Sequence, residues 1–461
     1  MMKKRKDSVF SSIMVLALPI IAEEILSTLL QYVDTAMVGR LGAEATASVN
    51  LTSTVNWLIG CIFSAIGIAV VALISSSLGA GDKKRVRSSS ATGLVLALTA
   101  GITVLAVALS VSPFLPSWMN ARKEIQRSAS EYFFIISLAI PFRALSIVEA
   151  NALRATKDTR TPMTVNLAQN ILNIVLNYLL IYHFGLKVRG AAIATFVSYS
   201  LGGIAMTASA FRKKELQFKK EDAANLSPIV KEALSIALPA AATNTTSCLG
   251  HIVFASLVSG MGTITFAAHS IALSAEQIFY VPGYGLRGAT STLIGISVGE
   301  NNKEKFRKLE TMSVAITVVM MTFTGLLLFI FARPIMAIFT PVEEVRDMGA
   351  QVLRLIAFSE PIFGLMIVSE GICYGLGDTK FPFAMETIGA WGIRILFTTI
   401  GLKYFGISLF GVWICMLLDN SFRALSMAIP IFTGRDSKLF ERRRAKVESS
   451  CGSNENQMAV K

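Results

Sequence analysis

Blocks of apolar residues recur along the whole chain and constrain its fold more than any other feature. A helix of about 20 apolar residues, rising about 1.5 Å per residue, crosses the hydrocarbon core of a bilayer. The blocks cover residues 13–38, 55–78, 92–115, 133–153, 162–184, 190–211, 229–258, 264–298, 311–339, 350–375, 382–402 and 407–432. Because an open sheet cannot satisfy its edge hydrogen bonds in lipid, they predict an all-α polytopic membrane protein with about 12 transmembrane helices.

The amount and placement of charge support this interpretation. Charged residues make up only 16% of the 461 residues, whereas soluble domains carry about 25%. The net charge of +13 could indicate a nucleic-acid partner, but alternate connecting segments and the two ends hold 27 Lys and Arg, against nine in the opposite loops. This bias predicts a multi-pass protein with both termini in the cytoplasm, and it explains the positive charge without a nucleic-acid partner. A minimal N-terminus, a basic tail and no organelle-targeting segment favour the cytoplasmic (inner) membrane.

An internal repeat divides the chain into two halves. Identical residues 220 positions apart include the pairs Pro19 and Pro239, Gly42 and Gly262, Lys83 and Lys303, and Asp158 and Asp378. Six spans in each half make the repeat parallel, an arrangement typical of transporters. We expect an N-terminal six-helix bundle at 1–215, a cytoplasmic linker at 216–226 and a C-terminal six-helix bundle at 227–433. The polar residues 434–461 predict a disordered cytoplasmic tail.

The first apolar block contains an isolated carboxyl group. A charge inside a span costs some 2.5–3.5 kcal/mol on insertion scales, so Asp34 needs a reason to be there. It has no adjacent basic residue in its segment and could bind and release a proton. Glu23 lies about three turns earlier on nearly the same helix face. The alternative is that Asp34 lies near the outer end of the span and faces water.

The fifth block carries four asparagines at spacings of four, three and four residues. Asn166, Asn170, Asn173 and Asn177 therefore share one stripe of one helix. Hydrogen bonding between membrane helices, worth about 0.6 kcal/mol per bond, would explain a single amide. Four in register favour a helix face that lines something polar.

Several motifs together resemble those of one transporter family. They are Leu-Pro-x₁₄-Asp ending at Asp34, the stretch 35–42, Leu-Gly-Ala-Gly-Asp at 78–82, the stretch 153–163, Asn-x₃-Asn-x-Leu-Leu-Ile at 173–181 and the stretch 373–380. In order and spacing they resemble multidrug and toxic compound extrusion (MATE) transporters up to about residue 433. Major facilitator transporters fit less well, because the loop after the second block lacks their second glycine and places its aspartate one position early.

The resemblance implies an antiporter that exports organic, cationic amphipathic compounds, including xenobiotics, by alternating access. In members whose cation site lies in the N-terminal half, the matching positions are Asp34, Asn173, Asn177 and Thr195. The family usually has aspartate where this chain has Asn177, which should weaken Na⁺ binding and favours H⁺, although either ion could couple transport. No metal is expected beyond a Na⁺ ion there, and no cofactor beyond the coupling ion.

Further polar residues of the same helices are candidates for the substrate pocket. They are Glu23, Gln31, Asn166 and Asn170. The expected partners are small organic cations and the lipid bilayer, and the protein is expected to be a monomer.

The second half contains acidic and basic residues within or near its spans. The acidic residues are Glu276, Glu360, Glu370 and Glu386, and the basic ones are Arg287, Arg354, Arg394 and Arg423. Pairing between the two sets favours a structural role.

Two other functions were weighed against antiport. A lipid-linked oligosaccharide flippase of the same superfamily would need basic residues in a cavity, for which Arg143, Arg287 and Arg394 are candidates. A membrane-embedded enzyme would need a nucleophile or metal constellation, and the three histidines and five cysteines show no such spacing. The sequence therefore predicts a transporter and not an enzyme.

Overall fold

The computed structural model describes residues 8–218 and 226–458, and these residues form helices and turns without a β-strand. The first half contains α1 Val9–Gly39, α2 Ala43–Gly79, α3 Lys83–Val111, α4 Leu115–Trp118, α5 Lys123–Ser137, α6 Ile140–Ala155, α7 Arg160–Asn177, a π-helical segment Tyr178–His183 and α8 Lys187–Arg212. The second half contains α9 Leu226–Ser259, α10 Thr263–Gly299, α11 Lys303–Phe339, α12 Glu343–Ala357, α13 Glu360–Gly375, α14 Lys380–Thr387, α15 Leu396–Ile400, α16 Leu409–Thr433 and α17 Arg435–Met458, with π-helical segments Ile388–Ile395 and Gly401–Phe405 around α15. The predicted all-α fold is confirmed.

Many of these helices are long enough to cross a membrane. Seven described helices are each long and apolar enough to cross a membrane. Two bent pairs of helices are long and apolar enough when each pair is taken as one span: α5 with α6, bent by 48°, and α12 with α13, bent by 55°. Pro141 and Pro361, at the starts of α6 and α13, disfavour a continuous helix there. Adding α9, α10 and the α14–α15 segment gives twelve long segments within the described residues, as the sequence predicts.

The helix boundaries reproduce the sequence repeat. The helices α2, α3, α5, α6 and α7 each begin 220 residues before α10, α11, α12, α13 and α14, respectively. Because the starts recur at the same offset as the identical residues, the two halves have the same helix order.

Contacts group the described residues into two compact units. The N unit comprises residues 22–78 and 82–237, and the C unit comprises residues 79–81, those before residue 22 and those from residue 238 onward. The first turns of α1 therefore belong to the C unit and those of α9 to the N unit. The predicted linker at 216–226 falls mostly on residues 219–225, which lie outside the described residues.

The C-terminal segment differs from the sequence-based expectation. The residues predicted as a disordered tail at 434–461 form helix α17 from Arg435 to Met458. Phe440 is fully buried, with its ring centroid 5.1 Å from that of Phe306 on α11. Arg307 on α11 donates to Asp436 at 2.7 Å. The prediction of disorder failed because it weighed the overall polarity of the tail and not this buried face.

Candidate functional site

Hydrogen bonds join α1 and α7 in the N unit at a constant sequence separation of 143 residues. Asn166 Nδ2 donates to Glu23 Oε1 at 2.5 Å, and Asn170 Nδ2 donates to Ser27 Oγ at 3.1 Å. Asn177, about two turns after Asn170 on α7, donates from its Nδ2 to Asp34 Oδ1. The constant separation means that the two helices run side by side in the same direction, and we call this set of contacts the polar ladder.

The Asp34 end of the polar ladder extends to α8. Asn177 Nδ2 also lies 3.2 Å from Asn173 Oδ1, and Asn173 Nδ2 donates to Thr195 Oγ1 at 3.4 Å. The Thr195 hydroxyl donates to the Ala191 carbonyl at 3.0 Å. The structure therefore brings together all four residues that the sequence singled out for ion coupling.

Asp34 is bound by neutral groups alone. Of the ion pairs among the described residues, none involves Asp34. Its partner Asn177 is fully buried, and the Asn177 Oδ1 acceptor has no hydrogen-bond partner in the described part of the chain. A carboxylate beside an unpaired buried carbonyl oxygen is an arrangement that a proton or a hard cation can complete.

Two tyrosines of the N unit that sequence reasoning missed adjoin this site. Tyr132 on α5 is buried, with its hydroxyl hydrogen-bonded to Thr195 and close enough to Asp34 for the two groups to interact electrostatically. Tyr182, in the π-helical segment directly after Asn177, donates to the Met37 carbonyl on α1 at 2.8 Å. No spacing in the sequence links either tyrosine to Asp34, although π-helical turns are frequent at functional sites.

The other end of the polar ladder is an ion pair. Arg154 Nη2 lies 2.6 Å from Glu23 Oε1, and the Glu23 side chain is only 5% exposed. Arg154 follows the fourth apolar block, which ends at residue 153 in the sequence, and the structure places it in the last turn of α6. Glu23 is thus neutralised, unlike Asp34.

Gln31 lies outside the polar ladder. Its side chain is exposed, and its carbonyl accepts the Thr35 hydroxyl at 2.9 Å. The structure therefore brings Glu23, Asn166 and Asn170 together but leaves Gln31 on the flank of this set.

The C unit holds its buried charges in arginine pairs. Asp419 lies 2.7 Å from Arg394 and 2.8 Å from Arg423, and Arg423 also pairs with Glu386. Elsewhere in this unit Arg287 donates to Glu370 at 2.6 Å. Sequence reasoning expected such pairing but did not single out Asp419, which joins the two arginines.

The other two acidic residues that the sequence singled out in this unit, Glu276 and Glu360, are buried and form no ion pair with any described residue. The remaining basic residue, Arg354, lies over the Phe329 ring, 6.0 Å from its centroid. Within the described residues, no three His, Cys, Asp or Glu side chains cluster as metal ligands would.

Comparison with known proteins identifies the family. A family model described as MatE matches residues 19–179 and 239–400. The chain belongs to the MatE family. The two matches begin 220 residues apart, so each half of this MatE protein corresponds to one copy of the model. Members of this family are membrane transporters, and the chain is accordingly a multi-pass membrane protein.

Individual MatE relatives align over nearly the full length. The chain is 29% identical over 441 residues to the probable multidrug resistance protein NorM of Thermotoga maritima, covering 95% of each chain. It is 23% identical to the probable multidrug resistance protein YoeA of Bacillus subtilis, covering 89% of this chain and 91% of that one. The crystal structure of a MATE protein in complex with MaL6 superposes with a TM-score of 0.89 at 23% identity, covering 94% of this chain and 97% of that one. The fold of this MatE protein is therefore that of the solved MATE structures.

Proposed function

We propose that the protein is a cation-coupled antiporter that exports organic, cationic amphipathic compounds from the cytoplasm, with Asp34 as the coupling carboxyl group. The single observation that carries the proposal is that Asp34 accepts from the neutral Asn177 amide and forms no ion pair with any described residue. Because the amide leaves its charge uncompensated, the carboxyl group can exchange an external cation. The family supports transport, and the names of the NorM and YoeA relatives support drug-like substrates.

The coupling step follows from the hydrogen bonds at Asp34. As a carboxylate it accepts from Asn177, which also binds Asn173, and Asn173 binds Thr195. Binding of a cation neutralises the Asp34 carboxylate and changes the hydrogen bonds that the carboxyl group can form with Asn177. Since Asp34 lies on α1 and its partner Asn177 lies on α7, the change alters how α1 is held. Antiport then requires that cation and substrate favour different conformations.

The donor set favours H⁺ over Na⁺. Asparagine and threonine oxygens can ligate a hard cation, and Asn177 Oδ1 has no partner among the described residues. The site nevertheless contains one carboxylate, and a single negative charge binds Na⁺ weakly. A proton needs only that carboxyl group.

The contacts of the three candidate arginines favour export of organic cations over the flipping of a lipid-linked oligosaccharide. Arg287 pairs with Glu370, and Arg394 pairs with Asp419, so neither offers an uncompensated charge to a phosphate. Arg143 donates to the Asn56 carbonyl at 2.9 Å and lies over the Tyr199 ring. An organic cation, by contrast, needs no free arginine.

Efflux of a fluorescent lipophilic cation from cells tests the proposal. The variants are Asp34→Asn, which keeps the shape but removes the charge, and Glu276→Gln, a matched change at a buried carboxyl group of the C unit. We expect Asp34→Asn to abolish efflux and Glu276→Gln to retain it at equal expression. Collapsing the pH and Na⁺ gradients in turn identifies the ion. Normal efflux by Asp34→Asn would remove Asp34 from the mechanism, and a wild type that extrudes no cation from a varied panel would refute the substrate class.

A further inference from the structure

A small cavity in the N unit lies where α3, α6 and α8 meet the segment that follows α8. Its walls are mostly apolar, with Leu94 from α3 and Phe211 from α8. Leu216 and Phe218, from residues 213–218, form one side of it. We call residues 213–218 the cap segment. Ser90 and Glu149 are the polar side chains that line the cavity.

Glu149 is the unusual member of this lining. Its side chain lies on α6 and is only 3% exposed. Among the described residues, none forms a hydrogen bond or an ion pair with it. Neither α3, α8 nor the cap segment places a second charged or titratable side chain in the lining.

Among the charged residues near the cavity in sequence, Arg212, Lys214 and Glu215 are exposed and are not part of its lining, and Arg85 and Lys213 have partners elsewhere. Arg85 on α3 binds Glu232 at 2.8 Å, and Lys213 of the cap segment binds Asp158 at 3.0 Å. On α6 itself, Arg154 binds Glu23 and Arg143 donates to the Asn56 carbonyl. Glu149 is therefore left with apolar walls and one serine.

Burial without a partner decides the protonation state of Glu149. An ionised carboxylate in an apolar cavity is unfavourable by several kcal/mol, so the closed cavity favours the neutral acid. Glu149 can ionise only if water reaches its carboxyl group, and water can reach it only if the cavity opens. The cap segment is the wall that can move, because Leu216, 2% exposed, is its one buried residue.

We propose that Glu149 is a proton-binding site distinct from Asp34, and that its protonation holds the cap segment against α3 and α6. Loss of the proton leaves a charge that the closed cavity cannot solvate, and the cap segment then detaches. The cap segment leads from α8 towards α9, that is, from one repeat half to the next. The proposal concerns Glu149 alone and does not depend on antiport at Asp34.

The C unit shows that the repeat does not itself require this arrangement. The positions 220 residues after Glu149 and Ser90 are Ser369 and Glu310, so the acidic residue has moved from α6 to the helix equivalent to α3. There Arg307 donates to Glu310 at 2.7 Å. Glu310 shares the cation of Arg307 with Asp436, whereas Glu149 has no cationic partner at all among the described residues.

Thiol labelling of the cap segment tests the proposal. In purified protein with its five cysteines replaced by alanine, Leu216→Cys reports the opening of the cavity. Lys214→Cys, at an exposed position of the same segment, corrects for the intrinsic pH dependence of the thiol reaction. If one proton controls docking, the corrected rate should rise towards about tenfold per pH unit once Glu149 ionises. With Glu149→Gln it should stay slow and independent of pH, and with Asp34→Asn the rise should remain.

Each other outcome contradicts the proposal. A rise that persists in Glu149→Gln, or a wild type with no rise, shows that Glu149 does not control the cap segment. A rise lost in Asp34→Asn assigns the proton to Asp34. Infrared difference spectra provide a measurement without Leu216→Cys: Glu149→Gln should remove one carbonyl band of a protonated carboxyl group at neutral pH, and an unchanged spectrum would refute the protonated state.

Discussion

Asp34 in the N unit is half-buried and Asp419 in the C unit is fully buried, and the groups around the two carboxylates are opposite in kind. Asp34 accepts from the Asn177 amide, whereas Asp419 lies between Arg394 and Arg423 at 2.7 and 2.8 Å. The two guanidinium groups compensate the charge of Asp419, whereas no cationic group among the described residues pairs with Asp34. The comparison separates the carboxyl group proposed to exchange a cation from one that joins two arginines.

Equivalent positions of the repeat show how the two units diverged. The residue 220 positions after Asp34 is Phe254, and the residue 220 after Asn177 is Phe397. Phe254 packs edge-on against His269, whose Nδ1 accepts from the buried Trp413 indole at 3.2 Å. Where the N unit has Asp34 and its amide partner, the C unit therefore has an aromatic cluster.

Removing one arginine from the C unit should have the largest effect on stability. Arg423→Met leaves Glu386 without its cation and Asp419 with one cation in place of two. Breaking a buried ion pair by removing one partner costs about 3–5 kcal/mol. We therefore expect a large fall in the midpoint of thermal unfolding, measured by tryptophan fluorescence of the purified protein.

The control for Arg423→Met is Arg333→Met. Arg333 is 53% exposed and pairs with Glu343 and Asp347, so its loss should cost about 0–1 kcal/mol. Combining Arg423→Met with Glu386→Gln should restore part of the loss, since fewer charges remain uncompensated. Equal effects of the two single changes would show that the C-unit arginines are not structural.

The two isolated ion pairs allow a finer comparison between the units. Glu23→Gln leaves Arg154 in a buried setting and should cost about 2–3 kcal/mol. Glu370→Gln should cost about 1 kcal/mol or less, because Arg287 is partly exposed and also lies over the rings of Tyr284 and Tyr374. Thermal midpoints of both variants at the same pH measure the difference. The reverse order would mean that the Glu23 pair contributes little to folding.

The repeat and the helix order could be predicted because they depend on local sequence. Apolar blocks set the lengths of the helices, and the shared offset of Pro19 and Pro239 also fixes the helix starts. The asparagine stripe of α7 was visible as well, since its spacing matches one helix face. The family resemblance had already grouped Asp34, Asn173, Asn177 and Thr195. The other contacts between that face and α1 could be found only from the structure.

Contacts between distant segments could not be predicted. Arg154 and Glu23 are 131 residues apart, and the positive charge of Arg154 is equally typical of a cytoplasmic loop. Asp419 stands alone in an apolar block, and only folding brings Arg394 and Arg423 to it. The helix α17 was missed for a related reason, because its polar sequence hides the buried Phe440.

Asn177→Asp should sharpen the difference between coupling ions. A second carboxyl group beside Asp34 adds negative charge where this chain departs from the family pattern. We expect the affinity for Na⁺ to rise about tenfold, equivalent to about 1.4 kcal/mol, and efflux to become Na⁺-dependent. The control Asn170→Asp places the same charge two turns away, beside Ser27, and should leave the Na⁺ response unchanged. If Na⁺ binding measured by calorimetry does not change with Asn177→Asp, the negative charge at this position does not select the ion.

The smallest effect is expected at the caps of α7 and α14, which are equivalent in the repeat. Asp158 accepts from the Thr161 amide at 3.1 Å and binds Lys213 at 3.0 Å, whereas Asp378 accepts from the Phe381 amide at 3.3 Å. Burial acts to raise the pKa of Asp158, but these hydrogen bonds and the lysine outweigh it and lower the pKa below the ordinary 3.8. A lowered pKa in the folded state means that the carboxylate stabilises the fold above the ordinary pKa and loses this contribution as the pH falls through the lowered value.

Asp158→Asn should therefore lower stability by less than about 1 kcal/mol at neutral pH, since water screens the partly exposed pair. The difference from wild type should shrink as the pH falls below the ordinary pKa of aspartate, because wild type then carries the neutral acid too. Asp378→Asn keeps an oxygen that can accept from the Phe381 amide and breaks no ion pair among the described residues, so it should have a still smaller effect at every pH. Thermal midpoints of the three proteins over a pH series measure this. A deficit of Asp158→Asn that is independent of pH would show that Asp158 acts by its shape and hydrogen bonding and not by its charge, and an equal deficit in Asp378→Asn would show that Lys213 contributes nothing.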